Sequence, residues 1–330
     1  MMDIDIKTVM IDLLQDAINQ GASDIHIYPN SKNNSKIRFR ILGNLEDNLQ
    51  LSNTEIEALI SLLKFNANID ISMNKRPQSG RFEYTYKDKK YYLRISTLPL
   101  NELYEGCVIR IFTDELADVE FSIFEEDRKK ISLLSKYTNG LIIFSGPTGS
   151  GKSTSMYKLA LELTRSNKQL ISIEDPVEKN FDEFIQMQVN EKAGITYDNA
   201  LKSILRCDPD VIMVGEIRDK DTAKYVITSA YSGHLVLTTI HAEDGIGIIN
   251  RLKDLGISQE DLKQTLLALI SQRLVKVGDR RELITEFLDK DAISAYINNK
   301  DIKFEKLRNK FQRACDDGKI EKEEKEKWGY

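Results

Sequence analysis

Eight residues restrict the possible folds of this chain more than any others: Gly146-Pro147-Thr148-Gly149-Ser150-Gly151-Lys152-Ser153. They fit GxxxxGK[ST], a pattern whose glycines let the backbone curl closely enough for its N–H groups to face a polyphosphate. The flanks agree. Leu141-Ile142-Ile143-Phe144 reads as a buried strand just before the motif, and a helical pattern begins at Ser153 just after it. A chance glycine-rich turn has no reason to sit between those two elements. Gly146, Pro147, Thr148, Gly149, Ser150, Gly151, Lys152, Ser153 and Thr154 are therefore the expected nucleotide-binding segment. Lys152 is expected to reach the β- and γ-phosphates, and the Ser153 hydroxyl to ligate Mg²⁺.

Around the motif, short apolar strands alternate with helical stretches. The strands are Leu141–Ser145, Gln169–Glu174, Val211–Gly215 and Leu235–Thr239. The helices run at about Ser153–Thr164, Tyr197–Arg206, Asp221–Tyr231 and Asp244–Leu255. Such alternation predicts an α/β domain, a mostly parallel sheet with helices on both faces.

The preceding residues follow another rhythm. Ile6, Val9, Met10, Leu13, Leu14, Ala17 and Ile18 recur at three- and four-residue spacing and are followed by Gly21, which predicts an amphipathic helix with a glycine stop. Ser23–Tyr28, Lys36–Ile41, Arg81–Tyr86, Lys90–Thr97 and Cys107–Phe112 read as strands, with a turn at Lys87-Asp88-Lys89. Ser52 and Glu55 form a capping box for a helix running to about Phe65. The expected organisation is an α+β domain over 1–115, a linker over 116–125, the α/β domain over 126–278, and a charged C-terminal extension over 279–330. The end of that extension reads as a solvated helix or a frayed tail.

Two strand ends carry carboxylates. Val211-Ile212-Met213-Val214-Gly215 delivers Glu216, and Leu170–Ile173 delivers Glu174 and Asp175, to the edge where α/β sheets bind ligands. Glu216 is the candidate for holding Mg²⁺ through water or for polarising the attacking water, with Glu174 as the alternative base. A carboxylate at one strand end is often only a turn former; two beside a phosphate-binding loop are not so easily dismissed. His234 and His241 bracket the strand Leu235–Thr239, where a γ-phosphate-sensing role is expected for both. With no cysteine or third histidine beside them, the pair makes a poor metal site.

Composition narrows the partners. Lys and Arg number 47 and Asp and Glu 52, for a formal net charge of −5, which disfavours direct nucleic-acid binding. Three scattered cysteines fit reduced thiols better than a disulfide framework. No stretch of the sequence reads as a membrane span or a leader, so a cytoplasmic protein is expected.

Taken in order, these segments resemble the type II secretion and type IV pilus assembly ATPase superfamily, to about Val277. Gly146–Thr154 resembles its Walker A, Ile173–Glu178 its Asp box, Gly215–Asp219 its Walker B ending GEIRD, and Gly233–His241 its His box. Gln272–Val275 resembles a later QRLV element, Ala22–Ile27 the ASDIHI signature, and Arg94–Pro99 the RVSTLP strand. The resemblance implies a RecA-like P-loop ATPase domain preceded by a smaller, PAS-like α+β domain, working with Mg-ATP as a homo-hexamer. It also implies that Arg94 and Arg110 reach the nucleotide, and that a polytopic inner-membrane platform protein takes up the stroke at the cytoplasmic membrane. Two departures point to the short competence ATPases of Gram-positive bacteria: no additional N-terminal domain, and no four-cysteine module after QRLV, hence no zinc site. The retraction enzymes are also short, but their AIRNLI-type element has no counterpart here, and Arg94-Ile95-Ser96-Thr97-Leu98-Pro99 leans toward assembly. The expected function is ATP hydrolysis driving a competence pseudopilus for DNA uptake. A related pilus or secretion motor, a non-hydrolysing scaffold and a DNA-translocating motor are the alternatives.

Overall fold

The computed structural model describes residues 5–30, 33, 35–101, 103–113, 119–278 and 280–330. The chain divides into two compact units that part between Asp114 and Glu115.

In the first unit the order is α1 (Ile6–Asn19), β1 (Ala22–Ile27), β2 (Ser35–Ile41), β3 (Asn44–Leu51), α2 (Asn53–Asn66), β4 (Gln78–Tyr86), β5 (Lys89–Pro99) and β6 (Glu105–Thr113). Asp5 caps α1 by accepting from the Lys7 N–H, and Gly21 follows the helix at φ 67°. The Ser52–Glu55 capping box of α2 is present in both directions. The strands form one antiparallel sheet ordered β3-β2-β1-β6-β5-β4. Lys87 and Asp88 alone join β4 to β5, both at positive φ, the backbone that matches the twist of a two-residue hairpin. Ile25, Ile37, Phe39, Leu93, Ile95 and Ile109 share one apolar cluster with Leu13, Leu14, Ile56 and Leu59 of the two helices. Strand β3 has no counterpart in the sequence reading, because a bulge breaks the alternation of NLEDNLQL and the strand lies at the sheet edge, mostly exposed, with only Leu49 and Leu51 turned to the core.

The second unit comprises α3 (Glu125–Leu133), β7 (Gly140–Ser145), α4 (Lys152–Thr164), β8 (Leu170–Glu174), β9 (Ile185–Gln188), α5 (Tyr197–Ile204), β10 (Val211–Val214), α6 (Lys220–Tyr231) and β11 (Leu235–Ile240). It continues with α7 (Gly245–Asp254), α8 (Gln259–Thr265), β12 (Leu266–Val277), β13 (Arg280–Asp289), α9 (Lys290–Ile297), α10 (Leu307–Asp316) and α11 (Lys322–Lys327). Its sheet runs β13-β12-β7-β11-β10-β8-β9 and is parallel except where β13 joins β12. Alternate residues feed opposite faces. Leu141, Ile143, Ile212 and Val214 enter one apolar cluster, and Ile142, Phe144, Val211 and Met213 another. Both faces are therefore covered, as the continuous apolar strands require.

Beyond residue 278 the structure departs from a charged extension. Leu283, Ile284 and Leu288 of β13 are buried, Ala292, Ile293 and Ile297 join the main core, and Leu307, Phe311 and Ala314 build a further cluster with Val275. Most of the charges that colour this stretch sit at strand ends and on outer helix faces, with Glu286 and Lys310 buried as exceptions, so composition hid an apolar pattern. The expected linker also differs in part: 116–118 lie outside the described residues, but Phe121, Ile123 and Phe124 are buried in the second unit. Ile123 donates its N–H to the Leu283 carbonyl at 2.7 Å.

One ion pair holds this C-terminal layer from within. Lys310 Nζ meets the Asp127 carboxylate, their side chains only 3 and 2 % exposed. Removing one partner of such a pair leaves a buried charge uncompensated, so Lys310→Met is expected to cost about 3–5 kcal/mol in denaturant unfolding. Lys310→Met with Asp127→Leu is expected to recover most of that loss; a neutral single variant would show that the pair does not secure α10.

Candidate nucleotide-binding site

Strand β7 is buried along its length and ends at Ser145. The loop that follows needs its glycines: Gly146, Gly149 and Gly151 have φ of 148, 78 and 82°, a region L side chains resist. At Gly146 a Cβ would also stand 2.5 Å from the Gln272 carbonyl oxygen and 2.5 Å from Ser150 Oγ. Gly151 caps α4 without a side chain, so the N–H groups of the first turn, from Lys152 on, have no intrahelical acceptor. This is an anion cradle with the positive end of a helix behind it. Lys152 folds back over it, Nζ donating to the carbonyls of Gly146 at 2.8 Å and Pro147 at 3.0 Å. Burial lowers the pKa of that ammonium, the Glu216 carboxylate raises it, and the Arg273 guanidinium lowers it again. Ser150 Oγ is buried with no hydrogen-bond partner among the described residues.

The two candidate carboxylates occupy different surroundings. Glu174, 3 % exposed, is surrounded by donors: Tyr157 Oη to Oε2, Ser172 Oγ to Oε1 at 2.6 Å, and Gln186 Nε2 to Oε1 at 3.0 Å. Burial and the Glu174 charge together push the Tyr157 pKa well up, so Tyr157 stays a donor. Glu216, with its side chain 21 % exposed, pairs with the Arg218 guanidinium. Arg218 Nη1 also reaches Asp175 Oδ2 at 3.1 Å, tying the ends of β8 and β10 together. His241 Nε2 stands 3.7 Å from Glu216 Oε2, its pKa lowered by burial and by the Lys152 charge, against the pull of Glu216.

A model of the type II/IV secretion system protein family matches residues 3–317. The chain belongs to that family. It is an ATPase, a motor of the secretion and pilus class. The chain is 39 % identical over 277 residues to competence protein ComGA of Bacillus subtilis, covering 83 % of this chain and 77 % of that protein. It is also 39 % identical to ComGA of Halalkalibacterium halodurans over 267 residues, 80 % of this chain and 76 % of that one. Its fold is like that of the ATPase DotB from Legionella pneumophila, with a TM-score of 0.76, 23 % identity, and 97 % and 94 % of the two chains covered.

In this ATPase the Ser153 hydroxyl at the start of α4 and the partly open Glu216 carboxylate are hard oxygen donors of the kind Mg²⁺ takes. Of the two histidines, only His241 comes to the site. His234 lies before β11 and His241 after it, so the strand separates them by about 23 Å at ~3.3 Å per residue. Seven residues apart in sequence, they stand at opposite edges of a parallel sheet. His234 is instead held at its own edge, Nδ1 at 2.9 Å from Ser232 Oγ and 3.2 Å from the Ser229 carbonyl.

Arg94 and Arg110 belong to the first unit, where they are cross-strand partners on β5 and β6. Arg110 Nε donates to Asp24 Oδ1 at 2.8 Å, and Arg94 Nε lies 3.5 Å from Ser79 Oγ. The register lines up Arg40, Asp24, Arg110, Arg94 and Arg81 across five strands, a basic row with one carboxylate in it. Sequence reasoning assigns no role to Tyr157, Gln186, Arg218 or Gln272. The contacts of Tyr157 and Gln186 with Glu174 and of Gln272 with Ser150 join positions far apart in the chain; local signals exist only for Arg218, inside Gly215–Asp219, and for Gln272, inside Gln272–Val275.

Proposed function

We propose that this ATPase drives assembly of a type IV-like competence pseudopilus. The observation that carries this reading is the 39 % identity to two ComGA proteins across at least 80 % of the chain, with the loop, both carboxylates and His241 intact. ATP is held by the N–H groups of residues 146–154 and by Lys152. Ser153, and Glu216 through water, would hold Mg²⁺, which would supply charge neutralisation at the phosphates. Glu216 orients the attacking water, and Glu174 is the alternative base. Because the remaining cations come from Arg94 and Arg110 of the first unit, the working form is a homo-hexamer in which domain closure follows ATP binding. Its stroke passes to a polytopic platform protein in the cytoplasmic membrane. Among the described residues no helix is long and apolar enough to cross a membrane.

Cells carrying Lys152→Ala at the native locus are expected to lose the pseudopilus and transformability together. Retained DNA uptake with loss of a secreted protein would replace the competence reading with a secretion one. For the arginines, Arg94→Ala should lower steady-state phosphate release by roughly 10³-fold or more at hexamer-forming concentrations, the range for positioned arginines. Equal turnover would remove Arg94 from the site.

A further inference from the structure

The phosphate-binding loop rests on a second layer that the nucleotide chemistry does not use. Gln272, wholly buried in β12, donates Nε2 to the Ser150 carbonyl at 2.7 Å, and its own carbonyl oxygen packs where a Gly146 Cβ would be. That same carbonyl accepts from Arg273 Nη1 at 3.1 Å. Arg273 is 6 % exposed; its Nη2 donates to the Glu243 carbonyl at 2.9 Å and lies 3.5 Å from Tyr330 Oη. The Trp328 ring covers the guanidinium, its centroid 5.6 Å from the central carbon. Tyr330 in turn packs on Phe311, centroids 4.7 Å apart. A buried cation held by carbonyls gains from an aromatic face, because the ring quadrupole replaces some of the lost hydration.

We propose that Trp328 and Tyr330 are positioning residues for the nucleotide site: by covering Arg273 they hold Gln272 against the loop and keep the loop in its ATP-accepting shape. The reading of 146–154 as the nucleotide cradle is assumed here. The two aromatics reach the loop through a relay of Arg273 and Gln272 and touch none of the reacting atoms. Helix α11, which immediately precedes them, buries none of its own residues. Its apolar fastening to the unit comes from the segments flanking it, Ile320 on one side and the aromatic pair on the other, beside a polar contact of Lys325 with Gln312 of α10. A segment with so few apolar contacts opens at low free-energy cost, so the aromatics can be loosened without unfolding the sheet.

The test is equilibrium binding of a fluorescent ATP analogue to the full chain, with steady-state hydrolysis and thermal unfolding in parallel. Trp328→Leu keeps an apolar body but removes the π face. It is expected to weaken ATP binding roughly tenfold, within the usual range of site-to-site coupling, with the unfolding temperature unchanged. KM should rise by a similar factor while kcat at saturating ATP changes by less than about twofold. Trp328→Phe with Tyr330→Phe retains both rings and is expected to bind ATP like the parent. Parental affinity in Trp328→Leu, or an equal loss in the double phenylalanine variant, would overturn the proposal. Lys152→Ala serves as the control: parental ATP binding by that variant would instead refute the assignment of the cradle itself.

Discussion

Lys152→Ala is expected to leave the chain folded and to reduce ATP hydrolysis by about 10³-fold or more, the scale set by removing a positioned cation from a phosphoryl-transfer site. The ammonium is the half-buried lid of the loop, bonded to the Gly146 and Pro147 carbonyls and opposed by the Glu216 carboxylate. When ATP enters, the same group can exchange two carbonyls for phosphate oxygens without moving far, which is why its loss falls on the transition state as well as on binding. Stability should change much less than the rate, because losing the two hydrogen bonds to the loop is offset in part by no longer burying the ammonium. Phosphate release at saturating Mg-ATP, measured beside thermal unfolding, checks both halves. A residual rate above about a tenth of the parental one would exclude Lys152 from the role, since a general charge effect at that distance is much smaller than a placed contact.

The parts of this molecule that could be read from sequence are those in which local pattern and tertiary demand agree. Leu141–Phe144, Val211–Val214 and Leu235–Thr239 are buried on both faces, so they read as unbroken apolar runs. The glycines of 146–151 are demanded by backbone geometry, so their spacing is itself the signal. Ser52–Glu55 and Lys87-Asp88 are local devices that need no partner elsewhere. Strand β3 escapes because its place in the sheet comes mainly from pairing with β2, with only Leu49 and Leu51 at its end reaching the core. Residues 280–320 escape for a different reason: in RRELITEFLD and LRNKFQRACD a minority of apolar residues makes the core contacts, and charged residues stand beside most of them. His234 and His241 look like a pair because they are near in sequence, whereas a strand between two residues separates them as far as the chain allows. The environments of Glu174 and Glu216 are equally hidden, since Tyr157, Gln186 and Arg218 approach them from other elements.

Those environments lead to the second large effect. Glu216→Gln is expected to lower hydrolysis by about 10²–10⁴-fold, the span of a general base or a water-orienting carboxylate, with ATP still bound. Glutamine cannot keep the ion pair with Arg218, which then remains tied to Asp175 alone, and it offers Mg²⁺-bound water a neutral oxygen. Glu174→Gln is expected to behave differently. Three donors converge on that buried carboxylate, so an amide there turns one acceptor into a donor facing Tyr157, Ser172 or Gln186, at a cost of about 1.5–3 kcal/mol for a lost charged hydrogen bond. A fall in unfolding temperature should therefore accompany any loss of rate. Tyr157→Phe separates structure from chemistry, since it removes one donor and leaves the carboxylate in place. If Glu174 supports the fold of the site, Tyr157→Phe should cost stability and keep the pH dependence of turnover. If Glu174 is the base, freeing one of its oxygens should shift that profile, and Glu174→Gln should then abolish hydrolysis at an unchanged unfolding temperature. The expected outcome is the first, because the carboxylate open to an incoming water in this arrangement is Glu216, whereas Glu174 must first release Tyr157.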